Sequence, residues 1–152
     1  MNNIKVSIII INYNYSKYIN DAINSSLNQT YRNVEIIVVD DGSTDNSREI
    51  INSYGNKIHK IFQKNSGMTE AANNGFEKSS GQLILFLDAD DYLYNNALEK
   101  VVSKWSPNIS KIHYRLQKIN HHGSKIGFSP KISIKLDEGE VWKKILKYGN
   151  YS

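Results

Sequence analysis

Apolar positions along the chain alternate between two rhythms. The runs VSIIII (6–11), VEIIVV (34–39) and QLILFL (82–87), with a weaker KIHKIF (57–62), have the length and continuity of strands covered on both faces. Between them the spacing turns helical. Tyr18, Ile19, Ala22, Ile23, Ser26 and Leu27 predict a first helix with Ser16 as its N-cap. Ile50, Ile51 and Tyr54 predict a second, after a turn on Gly42, and Met68, Ala72, Gly75 and Phe76 mark the inward stripe of a third. A fourth is expected over 95–104. Strands and helices linked this closely close most simply as an α/β fold: a mostly parallel, Rossmann-like sheet with helices on both faces and right-handed crossovers.

Beyond Trp105 the rhythm breaks. KIHYRLQKI (111–119) and KIGFSPKISIKL (125–136) predict two strands around a turn centred on His122 and Gly123, and 138–149 predicts a short helix with Val141 and Ile145 inward and Gly149 as C-cap. Residues 1–105 are therefore expected to form an α/β core, and 106–152 the incomplete start of a further region.

At 152 residues, 39% of them hydrophobic, the chain has the bulk of one globular domain. It has no cysteine, which removes disulfides and thiolate chemistry, and no leader-like or membrane-spanning run. A cytoplasmic protein is expected, with room for peripheral association at the inner face of the membrane. Charge is uneven: residues 1–99 hold 8 Lys/Arg against 12 Asp/Glu, and residues 100–152 hold 11 against 3. The lysines of the second part are spread singly and accompany no nucleic-acid module, so nucleic acid is not an expected partner. A P-loop, a dinucleotide fingerprint and a zinc-type His-Glu-x-x-His are all missing, and His121-His122 reads as an exposed turn.

Ligands of open α/β sheets collect outside the carboxyl ends of the strands. Three polar clusters fall there: Asn12-Tyr13-Asn14, Asp40-Asp41, and Asp88, Asp90 and Asp91. Like charges this close repel unless a proton or cation intervenes. With one residue between them, Asp88 and Asp90 in an extended segment would point the same way. Oxygen-only ligands at an incomplete site suit Mg²⁺ or Mn²⁺, completed by water and substrate phosphate. Tyr13 is placed to lie beneath a planar base, and one carboxylate of the Asp40-Asp41 pair to accept a ring N–H from it. The competing reading of these aspartates is turn and helix-cap structure.

Together, residues 6–47 and the stretch NSGMTEAANNGFEKSSGQLILFLDADD (65–91) resemble the nucleotide-sugar-binding half of a family 2 glycosyltransferase with the GT-A fold. The likeness covers about residues 4 to 100. It implies a UDP-sugar donor, a carbohydrate or lipid-linked glycan acceptor, and inverting transfer assisted by Mn²⁺ or Mg²⁺. The donor set it implies is Tyr13, Asn14, Asp41, Asn65, Gly67, Asp88, Ala89 and Asp90. In that set Tyr13 stacks on uracil, Asp41 receives its N–H, Asn65 and Gly67 shape the adjacent wall, and Asp88 and Asp90 hold the metal. Ile11, Ala72 and Asn95 depart from the family's commoner Pro, Arg and Pro. The general base is expected beyond residue 152. Asp137, Glu138 and Glu140 read instead as acids complementing a helix N-terminus. The alternative is a non-catalytic nucleotide-sugar-binding fragment.

Overall fold

A computed structural model of the chain describes residues 4–112, 116–120 and 122–129. Four strands, β1 (Val6–Asn12), β2 (Val34–Asp40), β3 (His59–Phe62) and β4 (Leu83–Asp88), form one parallel sheet in the order β3-β2-β1-β4. Helices α1 (Ile19–Leu27), α2 (Ser47–Ser53) and α3 (Met68–Glu77) make the crossovers, a 3₁₀ turn at Gly55–Lys57 leads into β3, and α4 (Ala97–Lys104) follows β4. Strands β5 (Gln117–Ile119) and β6 (Lys125–Phe128) form a separate antiparallel pair. The chain divides into two compact units, Met1–Ser110 and Lys111–Ser152. The helix expected over 138–149, and Asp137, Glu138 and Glu140, lie outside the described residues. Among those described, no helix is long and apolar enough to cross a membrane.

Burial on both faces explains why β1 and β2 read as unbroken apolar runs; β4, expected to be covered in the same way, instead alternates, with Leu85 and Leu87 buried and Phe86 exposed. Along β1, Val6, Ile8 and Ile10 pack with Ile19, Ala22 and Ile23 of α1, Ile51 of α2 and Leu98 of α4, whereas Ile9 points the other way to Ile37, Val39 and Ala71 of α3. Ile8, Ile9 and Ile10 are wholly excluded from water. The sheet is therefore a middle layer, as expected.

Two local expectations change. The inward residues of α3 are Ala71 and Gly75, while Met68 and Phe76 are 67% and 56% exposed. The cause is proximity: a Cβ on Gly75 would stand 2.5 Å from Ile9 Cγ2 and 3.1 Å from Val39 Cγ2, so only the smallest residues fit against the sheet. Helix α1 starts at Ile19 without a side-chain cap. Ser16 instead gives its backbone N–H to Asp45, drawn away by the neighbouring loop.

At the entry end of the sheet Glu35 joins three segments. Its carboxylate pairs with Lys5 at 2.6 Å and accepts hydrogen bonds from Ser7 Oγ, Ser80 N and Ser80 Oγ. Burial alone would raise its pKa, but the bonds from Lys5, Ser7 and Ser80 outweigh that and bring it from 4.5 to about 2.

Two outcomes are expected. Gly75→Ala overpacks the α3–β1 contact and costs about 1–3 kcal/mol, seen as a lower urea midpoint at unchanged m-value. Because the folded-state pKa of Glu35 is depressed, its contribution, about 3 kcal/mol from the size of the shift, is complete above pH 4.5 and fades as pH falls towards 2. Acid titration of stability should show this loss in the parent chain and a flatter profile in Glu35→Gln.

Candidate functional site

The chain winds outward from β1 to β2 and β3, then returns to place β4 on the other side of β1. This reversal leaves a crevice at the carboxyl ends of β1 and β4, where flanking crossovers diverge. Register fixes what borders it. Ile11 is paired with Asp88, and Asn12 with Asp40, so the loop carrying Tyr13 leaves β1 between the acidic end of β4 and the aspartates of β2. Tyr13 is half exposed at this edge.

Side-chain hydrogen bonds lace the β1–α1 loop to the β2–α2 loop. Asn12 Nδ2 donates to Asp40 Oδ1 (2.8 Å) and to Ser43 Oγ (3.0 Å). The next residue but one, Asn14, adopts a left-handed φ of 60°, which asparagine tolerates better than most residues. There its N–H reaches Ser43 Oγ, and its Oδ1 accepts from Thr44 N (2.7 Å) and Asp45 N (3.3 Å). Asp45 closes the lacing by accepting from Ser16 N and Ser47 N. Burial would raise its pKa, but the bonds from Ser47 and Ser16 lower it to about 2. Asn14 thus spends its amide oxygen on holding the loop under Tyr13.

Asp41 ties this edge to the β3–α3 loop. It is 3% exposed, and it accepts from Gln63 Nε2 and Ser66 N on Oδ1 (both 2.8 Å) and from Gly67 N on Oδ2 (2.9 Å). A carboxylate offers about four acceptor positions, so one stays free after these three. Gly67 has φ 91° and Gly42 φ 80°, and a Cβ on Gly42 would sit 2.5 Å from Asn65 N. Asn65 therefore contributes a close-packed backbone wall with its side chain exposed, in keeping with both glycines being glycine.

Beyond β4 the extended geometry expected for Asp88 and Asp90 gives way to a turn, closed by Asp91 N–H donating to Asp88 O at 3.0 Å. The Ala89 methyl is the reason: it is 2% exposed and belongs to the core on the α1 side, which folds the chain over. Ala89 can meet a ligand only through its backbone. Asp88 and Asp90 are left exposed, and partial burial of Asp91, together with the charges of Asp90 and Asp88, raises the Asp91 pKa. Among the described residues no three His, Cys, Asp or Glu groups are placed to hold a metal between them. A hard cation at this edge would have two of these carboxylates at most as ligands, its remaining positions left to phosphate and water, as Mg²⁺ sites commonly are.

Asp45, Arg48 and Gln63 were passed over in the sequence. Arg48 Nε pairs with the buried Asp40 at 2.8 Å, its Nη2 donates to Gln63 O, and its guanidinium lies 5.4 Å from the Phe62 ring centre. Only Asp45 carried a signal, as the last residue of the turn-forming DDGSTD.

The family model for Glycosyl transferase family 2 matches residues 7–133. An uncharacterized glycosyltransferase of Nostoc sp. is 39% identical over 151 residues, covering 96% of this chain and 47% of the relative. One from Haemophilus influenzae is 46% identical over 104 residues, 66% of this chain and 42% of the relative. Among solved structures, Staphylococcus aureus TarS 1-349 in complex with UDP-GlcNAc matches with a TM-score of 0.59 at 31% identity, over 65% of this chain and 30% of that one. The chain spans less than half the length of each of these relatives.

Asp41→Asn should release the β3–α3 loop, because an amide offers one acceptor atom where three donors converge. Hydrogen exchange at Ser66 and Gly67 is expected to accelerate about tenfold or more, with global stability lower by about 1–3 kcal/mol.

Proposed function

The chain belongs to glycosyl transferase family 2, and from that premise we propose that it binds a UDP-sugar in the β1–β4 crevice and transfers the sugar, with inversion, to a hydroxyl of a carbohydrate or lipid-linked glycan. The observation that carries the reading is the juxtaposition at one sheet edge of a half-exposed Tyr13, a buried Asp41 with one acceptor position unused, and the carboxylates of the 88–91 turn. TarS, bound to UDP-GlcNAc in a structure 31% identical to this chain, supports a uridine nucleotide as the donor's base.

In this reading Tyr13 stacks beneath uracil, held in place by the loop that Asn14 and Asp45 pin. The remaining lone pair of Asp41 accepts the uracil N–H, while Asn65 and Gly67 form the wall beside it. Asp88 and Asp90 hold Mn²⁺ or Mg²⁺, and the backbone at Ala89 lies against the nucleotide. A bound cation would supply neutralisation of the charge that grows on the departing UDP. Water reaches this edge because Asp88, Asp90 and Tyr13 are all exposed. The acceptor hydroxyl attacks the anomeric carbon from the face opposite the diphosphate, and a general base within about 3 Å takes its proton.

Titration calorimetry tests the donor site. UDP should bind in the presence of Mn²⁺ and lose about tenfold or more in affinity with Asp90→Ala, with Tyr13→Ala, or when EDTA replaces the metal. Equal affinity in all these conditions would remove the site from the crevice.

A further inference from the structure

The entry end of the same sheet carries a second cleft, of about 380 Å³, between the last turn of α1, the 3₁₀ turn and the first residues of β2 and β3. It lies the length of β1 away from the donor edge, about 20 Å for a seven-residue strand. Cations converge on it: Lys5, Arg32 and Lys57 line it, with His59 beside them, against a single carboxylate among the described residues, Glu35.

The hydrogen bonds around the cleft separate spent groups from free ones. Glu35 is occupied by Lys5, Ser7 and Ser80 and stays ionised down to about pH 2. Gln29, 1% exposed, gives Nε2 to Ser25 O and Tyr94 O and accepts Leu98 N–H on Oε1, and Tyr31 gives its hydroxyl to Ile4 O. Among the described residues, the Arg32 guanidinium and the Lys57 ammonium have neither an ion pair nor a side-chain hydrogen bond. Two unpaired positive charges line a cavity whose one acid among the described residues is already paired with Lys5. An Arg fork beside a Lys point charge matches a tetrahedral oxyanion carrying two negative charges.

We propose that this cleft binds a phosphate or diphosphate group, with Arg32 and Lys57 as its principal contacts and His59 at its edge. The group is either that of a small soluble anion or the headgroup of an anionic lipid. Binding here requires no metal, which separates it from the donor edge.

Calorimetry with inorganic pyrophosphate in EDTA, and sedimentation with vesicles of phosphatidylcholine alone or containing phosphatidic acid, decide it. Pyrophosphate or phosphatidic-acid vesicles should bind, at least tenfold more weakly after Arg32→Gln with Lys57→Gln, and unchanged after Lys100→Gln on α4. UDP with Mn²⁺ should bind the double variant as it binds the parent. Pyrophosphate alone identifies a soluble anion, and vesicles alone a lipid headgroup. Amide shifts in the unsubstituted chain give an answer independent of the variants: pyrophosphate should move Arg32, Asn56 and Lys57 and leave Asp88 in place. No uptake of either probe, the same loss in Lys100→Gln, or shifts centred on Asp88 would overturn the proposal.

Discussion

Asp40 is a charge with no exposure to water, and such a group is stable only when paired and fully hydrogen-bonded. Its partners come from three segments: Asn12 at the end of β1, Ser43 in the loop after β2, and Arg48 in α2. Satisfying one buried carboxylate therefore fixes the relative positions of the first two crossovers. Arg48 extends the constraint to the third through Gln63 O and the Phe62 ring. The neighbouring Asp41 then orders Ser66 and Gly67. A rim of loops, ordinarily the mobile part of a sheet, becomes a rigid frame around Tyr13.

Strand β2 carries a second anchored carboxylate at its other end. Glu35 binds Lys5 and Ser7 of the β1 side and Ser80 before β4, so β1 and β2 are clamped at both ends by acids of the same strand. At the carboxyl edge between β1 and β4 the arrangement differs, with Asp88 exposed. Rigid on one side and open on the other, β1 offers its final residues as one wall of a crevice. The polar groups that would fill it are committed to loop structure on the β2 side and free on the β4 side.

Much of this was legible because β1 and β2 are buried on both faces and β4 is apolar throughout: continuous apolar runs followed by Asn, Asp or Asp-x-Asp announce parallel strands ending at a polar edge. The parallel sheet and its polar carboxyl edge follow from the alternation of elements, whereas the order β3-β2-β1-β4 does not, because right-handed crossovers are compatible with several orders. What escaped is decided by close approach. On α3 Gly75 faces inward as expected, but Met68 and Phe76 turn out to solvent and Ala71 is the buried alanine, because α3 lies against Ile9, a distance that helical spacing does not encode. Ser16 does not cap α1, because the helix starts three residues later and both the backbone N–H and the side chain of Ser16 bond Asp45, far along the chain. Asp88 and Asp90 were expected side by side on an extended strand, but burial of the Ala89 methyl turns the chain between them. Arg48 was invisible for the same reason, since an arginine on a short helix looks solvated until the buried Asp40 is found beneath it.

The two ends of the sheet differ in what each requires to take the same chemical group. At the carboxyl edge three carboxylates stand within four residues, and partial burial, together with the charges of Asp90 and Asp88, raises the pKa of Asp91. A diphosphate approaching that edge alone would add negative charge to negative charge, and in the proposed reading a shared cation would offset that repulsion. At the entry edge the one carboxylate is already paired with Lys5, and Arg32 and Lys57 remain to meet an anion directly. A sheet built this way would discriminate between phosphates by their metal requirement alone. The donor edge would respond to the supply of divalent cation and the entry edge to ionic strength, because the first depends on a coordinated ion and the second on exposed, screenable charge.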